Sequence, residues 1–209
     1  SIRTAPSQGP HPDTPTTAVP LVDAGLAATV LAQNLAGKAA LIQRGAPTFA
    51  AAISTAAQAG AVFAVIYNNA AGNANAPGGD ALGALGGTDY TPIPAVFIGQ
   101  TPGEALTNLV SQNPSARAQL RLETTNLVFT VTNTLICEHV GVRVQTDHSL
   151  RGDVRITLLS PQGTRSVLQQ FSSDTNAGPV DWTYYSTHHF YESSAGAWTV
   201  CFSDEFQGS

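Results

Sequence analysis

Ala61-Val62-Phe63-Ala64-Val65-Ile66-Tyr67 is an uninterrupted apolar run closed by Asn68-Asn69. A short run of this kind, rich in β-branched and aromatic residues and bounded by turn formers, fits a strand buried on both faces. Upstream, Thr48 stands where an N-cap is wanted, Phe49, Ala52, Ile53 and Ala56 recur with helical spacing, and Gly60 occupies the position of a left-handed C-terminal cap. Before that helix, Lys38-Ala39-Ala40-Leu41-Ile42 is a second short apolar run between Gly37 and Gly45. Strand, helix and strand in succession predict a parallel α/β unit. Outward on the other side, Ile93-Pro94-Ala95-Val96-Phe97-Ile98 reads as a third strand. Thr101-Pro102-Gly103-Glu104 reads as a capping box with proline at the first helical position, and predicts a second helix to about Ser111. Arg117 to Glu123 alternates strictly and is expected to close the domain as a half-exposed strand.

After Thr124 the period changes to two. Val140, Val142 and Val144 alternate with Gly141 and Arg143, and Val154, Ile156 and Leu158 alternate with Arg155 and Thr157, with turns at Arg151-Gly152, Pro161-Gln162-Gly163 and Ala195-Gly196. Short alternating strands at regular spacing indicate a β-sandwich or jelly roll. Composition shifts at the same place, since 28 of 31 alanines lie at or before Ala118 and 10 of 15 aromatics lie after it. The chain therefore divides into a proline-rich linker over 1–18, an α/β domain over 19–123 with a small mixed sheet or open barrel and flanking helices, and an all-β domain over 124–209.

Charged residues make up only 11% of the 209 residues, with a net charge of -5, so no basic face for nucleic acid or anionic membrane is expected. No apolar run approaches the ~20 residues that a spanning helix requires. Low lysine content with abundant Thr, Asn and Gly suits an extracellular surface, and a Cys137–Cys201 disulfide is favoured over two buried thiols. The start at Ser1, the lack of methionine and the lack of a signal pattern suggest a piece of a longer chain.

The first half resembles the protease-associated (PA) domain. The residues that carry the resemblance are Gly37 to Gly45 with its Arg44-Gly45 pair, Phe49, Ala59-Gly60-Ala61, Ile66-Tyr67-Asn68-Asn69 and Ile93-Pro94-Ala95-Val96. The second half resembles the P domain, or homo B domain, of furin- and kexin-like proprotein convertases. There the carriers are His148 with Arg151-Gly152-Asp153, Leu159 to Thr164, Asp181-Trp182, and Ala195 to Val200 with Asp204. That family often has Trp-Gly-Glu where this chain has Phe190-Tyr191-Glu192. The resemblance implies an accessory region of a secreted, bacterial-type protease, subtilisin-like or of the fungalysin metallopeptidase kind. In it the PA part binds peptide or controls substrate access and the P part supports the catalytic domain of the same polypeptide.

The residues were weighed for chemistry of their own. No serine lies in a Gly-x-Ser-x-Gly elbow, no His-Glu-x-x-His helix occurs, and His188 and His189 would point to opposite faces of a strand. Neither a catalytic nor a metal residue is assigned. A Ca²⁺ site could draw on Asp147, Asp153, Asp174, Asp181, Glu192 and Asp204, although solvated turns explain the same carboxylates. Arg151-Gly152-Asp153 invites an adhesion reading but is better taken as part of a turn. For the PA part the peptide rim is placed at Asn68, Asn69, Asp89 and Tyr90, next to the glycine-rich 70–91 stretch. The alternative is a freestanding module for glycan or a cell-surface protein, which would need Tyr184 and Tyr185 to form one stacking platform.

Overall fold

The structure is a computed structural model that describes residues 2, 4–6, 10, 12, 15–28, 33–69, 71, 78–82, 91–121, 123–172 and 174–205. The chain forms two compact units, residues 1–122 and 123–209.

In the first unit, β1 (Ala5–Pro6), β2 (Val19–Asp23), β3 (Ala39–Gln43), α1 (Phe49–Gln58), β4 (Phe63–Tyr67), β5 (Ala95–Ile98), α2 (Gln100–Gln112) and β6 (Arg117–Ala118) follow in order. The sheet runs β1-β5-β4-β3-β2-β6. Its four middle strands are parallel and both edge strands are antiparallel to their neighbours. Parallel strands need both faces covered, which is why β3 and β4 read as continuous apolar runs. On one face Leu41, Phe63, Val65, Tyr67 and Ile98 form a core against Leu106 and Val110 of α2. On the other, Phe97 meets Phe49 of α1 at 5.3 Å between ring centroids, beside buried Ile53 and Ala56.

The caps show what holds the helices in place. Thr48 caps α1 as expected, its hydroxyl accepting from the Ala51 amide at 3.2 Å. Gly60 has φ +93 and leaves no room for a Cβ, which would lie 2.9 Å from Ala36 Cα. The second helix departs from expectation. It begins at Gln100 with Gly99 as N-cap, so Thr101 lies inside it, and the cap is supplied from a distance by Asp80, whose carboxylate accepts the Thr101 amide at 2.7 Å. Glu104 instead accepts from the Gln100 side chain. Hydrogen bonds from the Thr101 hydroxyl and amide lower the Asp80 carboxyl below its ordinary value.

Two described stretches of the proline-rich leader contact the first unit. Ala5 is fully buried opposite Phe97, and Thr16 exchanges hydrogen bonds with Leu120. A proline lacks the ladder donor and is tolerated at a sheet edge, so this composition is compatible with an edge strand as well as with a linker.

The second unit contains β7 (Thr125–Val131), β8 (Val140–Val144), β9 (Val154–Leu159), β10 (Arg165–Gln169), β11 (Trp182–Ser186) and β12 (Gly196–Asp204). They form a four-stranded sheet in the order β10-β9-β12-β7 and a two-stranded sheet β11-β8, antiparallel throughout. The core between them is Cys137, Val144, Val154, Ile156, Leu158, Trp198 and Val200. The expected Cys137–Cys201 bridge is not formed. Cys137 belongs to the core, whereas Cys201 alternates with Val200 and Phe202 on β12 and projects from the other face of the sheet. Strand alternation alone keeps the two sulfurs apart.

A Cβ at Gly103 would lie 2.1 Å from the Tyr67 Cβ, so α2 reaches the sheet only because this position is glycine. Gly103→Ala is expected to destabilise the first unit by about 1–3 kcal/mol through overpacking, read from its urea midpoint; an unchanged midpoint would show that α2 can lift at no cost.

Candidate functional site

The carboxyl ends of the parallel strands are where an open α/β sheet ordinarily receives a ligand. Among the described residues that end carries the protein's own polar groups, bonded to one another. Arg44, at the end of β3, is buried and donates to the Asn68 carboxamide at 2.8 Å, with its guanidinium 5.8 Å from the Phe49 ring centroid. Asn68 is fully buried and donates to the Ala81 carbonyl, while Asn69 donates to the Arg44 carbonyl. Asn68 and Asn69 therefore serve as ties that hold the 78–82 segment over the strand ends. Asn68 is buried and Asn69 half-buried. Asp89 and Tyr90 lie outside the described residues.

In the second unit, Arg151–Asp153 forms a single 3-10 turn. Gly152 and Asp153 are buried, Arg151 bonds the Asp174 carboxylate at 2.6 Å, and a Cβ on Gly152 would lie 2.5 Å from the carbonyl oxygens of both Ser172 and Asp174. The tripeptide is thus tied down as a turn, with its acid turned inward. His148 Nδ1 lies 2.9 Å from the Leu150 carbonyl, which can only accept from it, and Nε2 sits 3.6 Å from Asp204. Asp181 is bound by Arg143, and both Asp174 and Asp181 are held below the ordinary carboxylate value by hydrogen bonds. The carboxylates considered for Ca²⁺ are thus spread over separate partners, and among the described residues no three His, Cys, Asp or Glu side chains converge.

His188 and His189 lie in the turn after β11, one exposed and the other fully buried. The His189 ring meets Trp198 edge to face at 5.1 Å and lies 3.6 Å from Glu192. Neither of its ring nitrogens has a hydrogen-bond partner. Burial lowers its pKa, against the opposing pull of Glu192. Burial raises the Glu192 carboxyl, but hydrogen bonds from Thr164 and Ser160 outweigh it, and the net shift is downward.

The next residues carry a feature that the sequence hid. Tyr191 has φ +66 and is 76% exposed, with the Phe190 ring 4.4 Å away and half exposed. This is where the resembling family often has glycine, and the left-handed backbone supplies the reason. The signal was readable only as a departure from that glycine. Tyr184 and Tyr185 point to opposite faces of β11: Tyr184 packs on the core and bonds Gln169, while Tyr185 meets His139 edge to face at 5.7 Å. They cannot form one stacking platform.

An apolar groove of about 610 Å³ is lined by β7, β8 and residues 135–139 that join them. Phe129, Val131, Leu135, Ile136, Val140 and Val142 line it, and the buried Leu158 and Trp198 border it.

With this geometry in hand, comparison with known proteins is direct. Residues 16–106 match the family model of the PA domain and residues 137–209 that of the proprotein convertase P-domain. Among curated relatives, rat proprotein convertase subtilisin/kexin type 6 (Rattus norvegicus) is 38% identical over 65 residues, which is 30% of this chain and 7% of that protein. Mouse furin (Mus musculus) is 40% identical over 68 residues, 30% of this chain and 8% of furin. A solved structure of a serine protease of Aeromonas sobria is 26% identical, covering 41% of this chain and 17% of that one at a TM-score of 0.35. The chain spans under a tenth of the length of these two curated relatives. Residues 16–106 thus belong to the PA domain family and residues 137–209 to the P-domain family of proprotein convertases.

Two measurements test the local account. Tyr191→Gly relieves a left-handed tyrosine and is expected to stabilise the second unit by up to about 1 kcal/mol, after the entropy cost of glycine; a lower thermal midpoint would contradict it. For His189, the unfolded imidazole takes up a proton before the folded one. Its contribution is therefore complete above the ordinary imidazole range and is lost as pH falls through that range toward the lower folded value. Thermal midpoints of His189→Phe should vary less than those of the unsubstituted chain between about pH 7 and 5; equal slopes would show that the imidazole is not the titrating group.

Proposed function

We propose that residues 1–209 are the non-catalytic accessory region of a secreted, subtilisin-like protease. The observation that carries this reading is the succession of a PA domain and a P domain on one chain. Both are accessory regions of proteases, and the matched relatives include proprotein convertases and furin. The P unit supports its catalytic domain by packing against it. Phe190 and Tyr191 suit that contact: they are adjacent and exposed, and a strained backbone holds the tyrosine ring outward. A strained, exposed aromatic is retained where the fold's loss is another contact's gain. The PA unit binds peptide or governs access to the catalytic cleft. No described helix is long and apolar enough to cross a membrane, which accords with an extracellular place of action.

The test is made in the parent polypeptide. Phe190→Ser with Tyr191→Ser is expected to lower the yield of active peptidase several-fold while leaving the unfolding midpoint of residues 1–209 within about 0.5 kcal/mol of its unsubstituted value or above it. Full activity from that variant would remove the proposed contact. Purified residues 1–209 should leave casein uncut, and hydrolysis abolished by His148→Ala would overturn the non-catalytic reading.

A further inference from the structure

The turn between β11 and β12 shows an aromatic pair to solvent and sends one imidazole into the core. Phe190 and Tyr191 are exposed, whereas His189 just before them is fully buried. Its ring meets Trp198 at 5.1 Å, and neither ring nitrogen has a hydrogen-bond partner. Glu192 Oε2, 3.6 Å from Nδ1, is likewise buried and unpartnered, while the carboxylate is held by hydrogen bonds from Thr164 and Ser160. The other neighbours bring little charge to the imidazole. His188 on the same turn opposes a proton there, residues 160–164 hold no ionisable side chain, the paired 135–137 segment has only the Cys137 thiol, and β12 presents Trp198. The turn is fastened at few points. In its middle the Tyr191 amide donates to the Cys137 carbonyl and the Cys137 amide to the Glu192 carbonyl, both at 2.9 Å. At its ends the His188 amide donates to the Ser186 hydroxyl at 3.2 Å and the Ser194 amide to the Leu135 carbonyl at 2.8 Å.

We propose that this turn is a pH-operated latch: in mildly acid solution its middle opens, His189 leaves the core to take a proton from water, and the ordered Phe190–Tyr191 face is lost. A proton taken up in place would leave an imidazolium fully buried, with no acceptor for Nε2 and, at Nδ1, a carboxylate already engaged by Thr164 and Ser160. A buried charge so poorly paired is costly. Burial accordingly depresses the His189 pKa against the pull of Glu192. An imidazole that is harder to protonate in the closed turn than in the open one shifts the balance toward the open turn as pH falls.

Opening gives up little besides the imidazole's own burial. His188, Phe190 and Tyr191 are already exposed, the two central hydrogen bonds pass to water, and the left-handed backbone of Tyr191, at φ +66, relaxes. The end bonds at Ser186 and Ser194 act as hinges, and the Trp198 indole stays anchored on the Ser194 carbonyl at 2.8 Å. Movement is thus confined to the turn while β11 and β12 keep their ladders. The opening is a property of residues 1–209 alone. Its consequence, release of the catalytic domain in acid, rests on the docking role of Phe190 and Tyr191.

The test is amide hydrogen exchange of residues 1–209, read residue by residue between about pH 7.5 and 4.5 and corrected for the intrinsic rate. Protection of the Tyr191 and Cys137 amides is expected to fall below about pH 6.5, by up to about tenfold per pH unit. The amides of β9 and β12 should not share that slope. His189→Gln, uncharged and of similar size, should abolish it, and His188→Gln, at an exposed position, should keep it. The unsubstituted chain and His188→Gln decide the matter even where His189→Gln fails to fold. Three results each overturn the proposal: protection of the Tyr191 and Cys137 amides that is independent of pH, the same slope in β9 and β12, which would mark unfolding of the whole unit, and a slope lost in His188→Gln. Full activity of the parent polypeptide carrying Phe190→Ser and Tyr191→Ser would remove only the consequence for docking and leave the latch standing.

Discussion

Every sheet face must be covered by something apolar, and this chain meets that requirement differently in its two units. In the first, α1 and α2 seal opposite faces of one parallel sheet. The consequences extend to single residues. Both faces of β4 are buried, so its sequence is apolar without interruption, and the residue of α2 that crosses Tyr67 has to be glycine. The polar groups left at the strand ends are then satisfied internally by Arg44, Asn68 and Asn69, as buried amide and guanidinium groups require.

In the second unit the covering is done by strands. β12 is the central element, bonded along one edge to β9 and along the other to β7. Its alternate residues Trp198 and Val200 fix the core, and the Trp198 indole is anchored by the Ser194 carbonyl at 2.8 Å. The same strand borders the Arg155–Glu205 ion pair, both of whose side chains are almost wholly buried. Such a pair is costly to break but adds little net stability, so the unit depends on its apolar layer, and that layer thins out over β7.

Much of the architecture is written in local patterns. The runs at 39–43, 63–67 and 95–98 specify their strands because no other element buries four or five apolar residues in succession so economically of length, and Thr48 and Gly60 mark the ends of α1 by their chemistry. What escaped reading depends on partners distant in sequence. The α2 cap comes from Asp80, 21 positions before Thr101. The Ala5 edge strand is fixed by Phe97. Asn68 looks like a loop residue until Arg44 and Ala81 are seen around it, and the cysteines look like a pair until alternation on β12 separates them. Tyr191 was visible only as a departure from a family glycine, because a single residue's φ leaves no trace in hydrophobic periodicity.

Cover is complete over β4 and nearly so over β3, and incomplete over β7. Residue-resolved amide hydrogen exchange on residues 1–209, measured in increasing sub-denaturing urea, tests it most directly. The account predicts that β3 and β4 exchange slowly with strong urea dependence, as do β9 and β12. It predicts that β7 exchanges faster and almost independently of urea, by local opening. Exchange of β7 as slow and as urea-dependent as that of β12 would contradict it.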